Sequence, residues 1–305
     1  MKHKEVALLS WNLLKKTYQE FDDDNALKLS ASLSYYTIFS LPPLLIIIMS
    51  FVSIFFGREA VTGKFFGQIN GMVGNEAAFQ IQETIKNIEL TDSNLFAAIL
   101  GGVMLLIGAS GVFAEIQSSI NYIWGLKAKP DKGLIKFIKN RLMSFSMIAS
   151  VGFFLLVSLM VNTLMDVINN QLLAYFPDST IYLFYVLNIL IMFATTTMLF
   201  SIIFKTLPDG YIVWKDALIG ASFTSFFFMF GKFAIGFYLG SSTVATVYGA
   251  AGSLIIILIW VYYSAIILYF GAEFTKVYAN SHGDKIIPNS YAVSIEVEVI
   301  ELPKK

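Results

Sequence analysis

Residues 233–272 read FAIGFYLGSSTVATVYGAAGSLIIILIWVYYSAIILYFGA and contain no Asp, Glu, Lys or Arg. The hydrocarbon core of a bilayer is about 30 Å thick, and a helix crosses it in about 20 residues. The stretch is therefore long enough for the end of one spanning helix, a turn near Gly240 and a complete second helix. Because uncharged runs of this length are typical of transmembrane segments, the stretch predicts a membrane protein.

The same pattern recurs toward the N-terminus. Four further stretches lack charged residues, namely residues 29–57, 93–114, 142–165 and 179–204. Residues 217–239 contain a single charge, Lys232. Over the whole chain 14% of residues are charged, against about 25% in an ordinary soluble domain. The predicted fold class is all-α: a polytopic membrane protein with six transmembrane helices.

The sequence predicts that the chain is divided into three parts. Residues 1–28 form an amphipathic N-terminal segment, residues 29–276 form the six-helix transmembrane domain, and residues 277–305 form a polar tail that we expect to be disordered. The six spans cover about 30–56, 95–117, 142–164, 181–204, 217–239 and 247–273. The tail alternates Val and Ile with Ser and Glu between Val293 and Val299, as strands do, but a lone strand is not stable by itself.

Two amphipathic helices accompany the spans. In residues 4–20, Val6, Leu9 and Leu13 share one stripe beside several lysines, which is typical of a helix lying in the membrane interface. The loop 57–94 between the first two spans contains Ala78, Ile81, Ile85 and Ile88 at helical spacing, so it predicts a short external helix.

Lysine and arginine predict the orientation of the chain. Loops on the cytoplasmic side carry an excess of these residues. Assigning the segments alternately places seventeen of the 21 cations inside and three outside, with Lys232 in the membrane. We therefore expect both termini to be cytoplasmic and the loop 57–94 to be external.

Six stretches of the chain resemble one protein family. They are residues 31–44 (ASLSYYTIFSLPPL), 111–125 (GVFAEIQSSINYIWG), 207–210 (LPDG), 244–253 (VATVYGAAGS), 260–263 (WVYY) and 270–274 (FGAEF). In this order, over roughly residues 10–280, they resemble the YihY/BrkB family of bacterial inner-membrane proteins. The resemblance implies a six-span fold in the inner membrane. Some members of this family are described as virulence factors, and others are linked to the handling of envelope lipids. The family was formerly described as a ribonuclease that processes transfer RNA.

The residues themselves argue against the nuclease label. Metal-dependent hydrolysis of phosphodiesters uses clustered His and carboxylate ligands, whereas the two histidines, His3 and His282, lie near opposite ends of the chain. The basic loop 127–141 is explained by the positive-inside rule and by attraction to anionic lipids. The chain has no Cys and no phosphate-binding Gly-rich motif ending in Lys-Ser or Lys-Thr. We therefore predict no enzyme activity, no metal, no cofactor and no nucleic-acid partner.

Polar residues inside the spans suggest a first candidate site. An ionisable residue within a membrane helix is a functional hypothesis by default, and Lys232 is the best case. Asn188 in span four lies at nearly the same depth, and Asn162 lies at the outer end of span three, so the three could line a polar cavity that receives an anionic headgroup. The alternative is that Lys232 extends its stem to the nearer membrane surface.

The proline pair Pro42-Pro43 suggests a second candidate site. It removes two backbone donors from the first span, and broken helices supply substrate sites in many transporters. Hydroxyl groups would come from the preceding residues Ser34, Tyr35, Tyr36 and Ser40. The alternative is a kink that neighbouring helices accommodate.

The acids Glu115 and Glu273 fall at the cytoplasmic ends of spans two and six. We expect them to be ordinary interfacial acids, or one of them to pair with a cation of the loop 127–141. Gly236, Gly240 and the glycines of 249–253 predict close helix packing.

These observations favour a transporter or flippase-like protein for an anionic or amphiphilic envelope component. Its partners would be membrane lipids, with an anionic lipid or envelope precursor as substrate, and a homo-oligomer is compatible with the sequence. The alternative is a membrane scaffold for envelope integrity or virulence that binds partners through its external helix at 75–90 and its tail.

Overall fold

The structure, a computed structural model, describes residues 2–40, 95–129, 179–241 and 252–295. Several predicted features lie outside the described residues: the third span, the loop 57–94, Asn162 and the pair Pro42-Pro43.

Helices make up most of the described chain. They are α1 (Lys2–Asp23), α2 (26–40), α3 (Leu95–Ile123), α4 (Ser179–Thr206), α5 (Trp214–Ser241) and α6 (Gly252–His282). Three segments are long and apolar enough to cross a membrane: Ile189–Thr206, Trp214–Ile235 and Ile255–His282. They coincide with predicted spans four, five and six, which confirms a helical membrane protein. The total of six spans stays a prediction.

Local sequence signals explain where these helices end. Between α1 and α2, Asn25 adopts a left-handed backbone conformation with φ 52°, which Asn tolerates better than most residues. The chain turns there, and this turn is called the α1–α2 corner below. After α4, Pro208 cannot continue a helix, and the chain turns at 207–210 between α4 and α5.

Helix α5 packs against both α4 and α6. The contact with α6 uses two reciprocal pairs: Gly220 faces Thr275, and Gly271 faces Thr224. A Cβ atom at either glycine would lie 2.8 Å from the Cβ of the facing threonine, so only glycine permits this approach. The close packing expected at Gly236 and Gly240 stays a prediction, and Gly220 and Gly271 provide a close contact that the sequence analysis did not single out.

One face of α5 is open and aromatic. Its members are Phe226, Phe230, Phe233 and Phe237, and the last of these is 80% exposed. Their spacing of three to four residues places them on one stripe of the helix. A continuous stripe of large exposed apolar side chains suits contact with lipid rather than water.

Two short antiparallel strand pairs close one end of the helices. β1 (Leu126–Ala128) pairs with β4 (Ala292–Ser294), and β2 (Gly210–Tyr211) pairs with β3 (Ile287–Pro288). The last turns of α3, α4 and α6, the first turn of α5 and these strands together are called the strand-bearing end. It is the end that the positive-inside rule assigns to the cytoplasm.

The tail differs from the expectation of disorder over 277–305. Helix α6 continues to His282, and residues 287–295 contain both tail strands. The backbone amide of Ile295 donates to the carbonyl of Gly125 at 2.7 Å, and that of Lys129 donates to the carbonyl of Tyr291 at 2.9 Å. The disorder prediction is therefore wrong for residues 277–295. The tail strand β4 is stabilised by β1, which lies about 165 residues earlier in the chain. The sequence near the tail therefore contains no sign of this partner.

Hydrogen exchange tests this pairing. The Ile295→Pro variant loses the amide that bonds to Gly125, so the amides of residues 291–294 should exchange much faster than in the parent chain. One hydrogen bond contributes about 1 kcal/mol net, and hydrogen exchange with mass spectrometry resolves such a change. Val293→Thr keeps every backbone donor and should preserve the protection. Unprotected amides at 291–295 in the parent chain would contradict the strand pairing.

Candidate functional site

The segments that carry the family resemblance meet one another near the strand-bearing end. Ser32 of α2 donates its hydroxyl to Glu115 Oε1 of α3 at 2.5 Å. Trp124 donates its indole N–H to the carbonyl of Ala272 in α6 at 3.1 Å. Three of the six stretches, far apart in the chain, are thus joined by direct hydrogen bonds.

A fourth stretch joins them through Asp209, the acid of the 207–210 turn. Asp209 is fully buried. Its carboxylate accepts hydrogen bonds from Gln117 Nε2 at 3.0 Å and from Asn121 Nδ2 at 2.9 Å, and its backbone amide donates to Asn121 Oδ1 at 2.7 Å. The amide of Asn289 in the tail donates to the Asp209 carbonyl at 2.9 Å. Asp209 therefore fastens α3, the α4–α5 turn and the tail together.

A second charged group ties the α1–α2 corner to α6. The Lys276 ammonium lies 2.8 Å from Glu20 Oε2, 3.2 Å from Asp24 Oδ2 and 3.3 Å from Glu273 Oε2. Glu20, Asp24 and Glu273 are called the carboxylate cluster below. The aromatic rings of Phe21 and Phe270 pack beside it with centroids 5.6 Å apart. Ion pairs and an aromatic contact thus hold the corner in place.

Glu273 corrects the expectation drawn from its position at the end of a span. An ordinary interfacial acid would be hydrated, yet Glu273 is fully buried. The structure gives it Lys276 as an ion-pair partner, three residues along the same helix. Glu115 likewise bonds to Ser32 rather than standing in the interface alone.

Lys232 lies where α5 contacts α4, away from the exposed aromatic stripe. Its ammonium is 3.8 Å from Met192 Sδ of α4. The two antiparallel helices are joined by a short turn; Met192 lies 14 residues before the end of α4, and Lys232 lies 18 residues after the start of α5. By residue count, Met192 is therefore about one helical turn nearer to the strand-bearing end than Lys232.

The other members of the predicted cavity are placed only in part. Asn188 belongs to α4 one turn before Met192, and residues four apart in a helix share a face. The polar cavity around Lys232 and Asn188 therefore stays a prediction. Asn162 lies outside the described residues.

The hydroxyl residues before the proline pair are distributed over two faces of α2. Ser34 is buried and donates to the carbonyl of Ser30 at 2.9 Å within its own helix. Ser40 is also buried and lies against Gly111 of α3. Tyr35 and Tyr36 are exposed, and their rings contact each other at 5.8 Å. The described residues thus do not gather the four hydroxyl groups in one place.

Sequence reasoning missed Asp209 and the carboxylate cluster. Gln117 and Asn121 gave a usable signal, since they are polar residues four apart at the end of a charge-free span. Glu20 and Asp24 gave none, because they lie in a polar segment more than 250 residues from Lys276.

Known proteins support the resemblance. The chain is 27% identical over 270 residues to a UPF0761 membrane protein of Saccharophagus degradans, covering 86% of this chain and 58% of that protein. It is 24% identical over 286 residues to one of Acinetobacter baylyi, covering 93% and 66%. It is 23% identical over 265 residues to one of Mannheimia succiniciproducens, covering 85% and 87%. The chain thus spans about three fifths to two thirds of the first two relatives. No solved structure matches it.

A family model described as Virulence factor BrkB matches residues 17–293, which is most of the chain. The matched range includes all six stretches that suggested the resemblance. The chain therefore belongs to the BrkB family of membrane proteins, together with its UPF0761 relatives.

Proposed function

We propose that this protein is a carrier of the bacterial inner membrane, with both termini cytoplasmic, that moves an anionic or amphiphilic envelope component. A transporter or a flippase-like protein fits this description. The observation that carries the proposal is the position of Lys232, a lysine at the contact of two apolar helices whose ammonium lies 3.8 Å from Met192 Sδ of α4.

The surroundings of Lys232 suit an amphiphile. A lysine ammonium attracts an anionic headgroup such as a phosphate or carboxylate. The aromatic stripe of α5 lies on the adjacent face and is exposed along its length, where acyl chains can pack against it. One amphiphile could therefore bind with its headgroup at Lys232 and its acyl chains on the aromatic stripe of the adjacent face of α5.

We also propose that no catalytic step accompanies this movement. The polar side chains that meet at the strand-bearing end bond to one another, as Asp209 does to Gln117 and Asn121. Such engagement supports a role in holding the helices together rather than in chemistry on a substrate.

Lipid movement across a reconstituted bilayer tests the proposal. The purified protein is placed in liposomes that carry fluorescent phosphatidylglycerol or fluorescent phosphatidylcholine, and a membrane-impermeant quencher reports which leaflet holds the probe. We expect faster exchange of the anionic probe. Lys232→Ala should slow this exchange about tenfold or more, since a hydrogen bond to a charged group contributes about 1.5–3 kcal/mol.

Matched variants separate charge from packing. Lys232→Arg keeps the charge and should retain most of the activity. Leu218→Ala removes an exposed apolar side chain of the same helix that is not part of the aromatic stripe, and it should leave the exchange unchanged. Asn188→Ala should weaken exchange in the same direction as Lys232→Ala. The proposal is wrong if Lys232→Ala matches the parent protein, or if liposomes with and without protein exchange both probes equally.

In the scaffold alternative the tail binds a partner, and deleting the tail is the obvious test. The structure calls for a different one. Because β3 and β4 belong to the fold, deleting residues 280–305 would damage the protein whether or not the tail binds a partner. Exposed side chains of the strands, such as Ile287 and Val293, are the better targets. A scaffold would lose its envelope phenotype on Ile287→Ser and Val293→Ser, whereas the carrier would not.

A further inference from the structure

The carboxylate cluster carries more negative charge than its described partner neutralises. Three carboxylates face one ammonium, that of Lys276. Glu273 is fully buried, while the side chains of Glu20 and Asp24 are 33% and 24% exposed. Burying a charge without full compensation is costly, so this arrangement favours the binding of a proton or of a further cation at the same place.

One oxygen of Glu273 identifies where that charge would bind. Glu273 Oε2 faces Lys276, whereas Glu273 Oε1 is buried and accepts no hydrogen bond from the residues that the structure describes. A buried acceptor left unsatisfied costs about 1–3 kcal/mol, and more when it is charged. The free oxygen is a buried acceptor on a residue of the cluster, and it is available as a ligand.

The spacing of the three carboxylates matches the coordination of a metal ion. One oxygen of each residue can be chosen so that all lie within 4.8 Å of one another. Magnesium and calcium bind oxygens at about 2.0–2.6 Å, so ligands around one such ion are at most about 4–5 Å apart. An all-oxygen donor set suits hard cations such as Mg²⁺, Mn²⁺ and Ca²⁺. The partial exposure of Glu20 and Asp24 leaves room for water ligands and for access.

We propose that Glu20, Asp24 and Glu273 bind one divalent cation beside the Lys276 ammonium. The two charges of the ion balance the surplus of the cluster. Because Glu20 and Asp24 belong to the α1–α2 corner and Glu273 to α6, the bound ion fastens the corner to the helix bundle. The cation therefore stabilises the strand-bearing end independently of any transport activity.

Manganese is the probe for the test. The full chain is purified in detergent with EDTA, the chelator is removed, and Mn²⁺ is added while electron paramagnetic resonance measures the free hydrated ion. We expect one saturable Mn²⁺ site per chain, together with a higher unfolding temperature when Mn²⁺, Mg²⁺ or Ca²⁺ is present and its reversal by EDTA.

Variants locate the site. Glu273→Gln keeps the shape of the side chain and should weaken Mn²⁺ binding at least tenfold. Glu20→Gln changes a partly exposed residue, so it should fold even if Glu273→Gln does not, and it should weaken binding as well. Glu115→Gln, an acid of α3 outside the cluster, is the matched control and should bind as the parent does. The proposal is overturned if the parent chain shows no saturable binding up to millimolar Mn²⁺, or if Glu20→Gln and Glu115→Gln bind equally well.

Discussion

Replacing Asp209 by Ala is expected to lower the free energy of unfolding by about 3–5 kcal/mol, because two hydrogen bonds to a charged acceptor are lost at about 1.5–3 kcal/mol each. Asp209 is fully buried and accepts from the amides of Gln117 and Asn121. The variant removes the acceptor that both amides share. Since these residues join α3 to the α4–α5 turn, the loss should appear as unfolding of the strand-bearing end.

Unfolding in mixed micelles, followed by Trp fluorescence, measures this effect. Trp124 and Trp214 both lie at the strand-bearing end, so they report on the affected region. Asp209→Asn keeps the volume but presents an amide group to two other amides, and it should recover little of the loss. Asp22→Ala removes an exposed acid of α1 and should change the free energy of unfolding by less than about 0.5 kcal/mol. Equal stability of Asp209→Ala and Asp22→Ala would show that the network contributes nothing.

Sequence alone could predict α4, α5 and α6 because their signals are local. Each is an apolar run long enough to span a membrane, and Pro208 marks the boundary between the first two. Hydropathy and proline chemistry act within one or two turns of helix, so they need no knowledge of the rest of the fold.

The tail and the carboxylate cluster could not be predicted, since both depend on partners far away in the chain. Val293 had the periodicity of a strand, but its stability depends on Lys127, which the register places opposite it. Glu20 looked like one acid in a polar segment until the fold placed it 2.8 Å from the ammonium of Lys276. Hydrophobic pattern fixes which face of a helix is buried, but not which distant polar group it meets.

Lys232 is an intermediate case. Counting residues predicts that Asn188 lies at its level, and this stays a prediction; the structure places the ammonium 3.8 Å from Sδ of Met192, four residues further along α4. The Cα–Cβ bond in a helix tilts toward the helix N-terminus, and the N-terminus of α5 is at that end. A lysine stem that follows this tilt approaches α4 on the side of Met192, so the observed contact could have been inferred from the topology alone.

The contact between α5 and α6 should be as sensitive as the buried acid. Gly220 faces Thr275, and Gly271 faces Thr224, so each helix presents one glycine and one threonine to the other. Each threonine hydroxyl also donates to the carbonyl of the glycine four residues earlier in its own helix: Thr224 to Gly220 at 2.8 Å and Thr275 to Gly271 at 2.6 Å. These bonds fix the threonine side chains, so the side chains cannot turn away from an added methyl group.

Gly220→Val and Gly271→Val are each expected to destabilise the protein by about 2–3 kcal/mol, the usual cost of overpacking. Together they should separate α5 from α6 and prevent folding. Ala234→Val, at an exposed position of α5, is the control and should have little effect. The double variant Gly220→Ala with Thr275→Gly moves the methyl group to the other helix, so it should be more stable than Gly220→Val. It should remain less stable than the parent chain by about 1 kcal/mol, because a glycine now stands inside helix α6. If Gly220→Val is as stable as Ala234→Val in detergent unfolding, the two helices do not approach as closely as these pairs require.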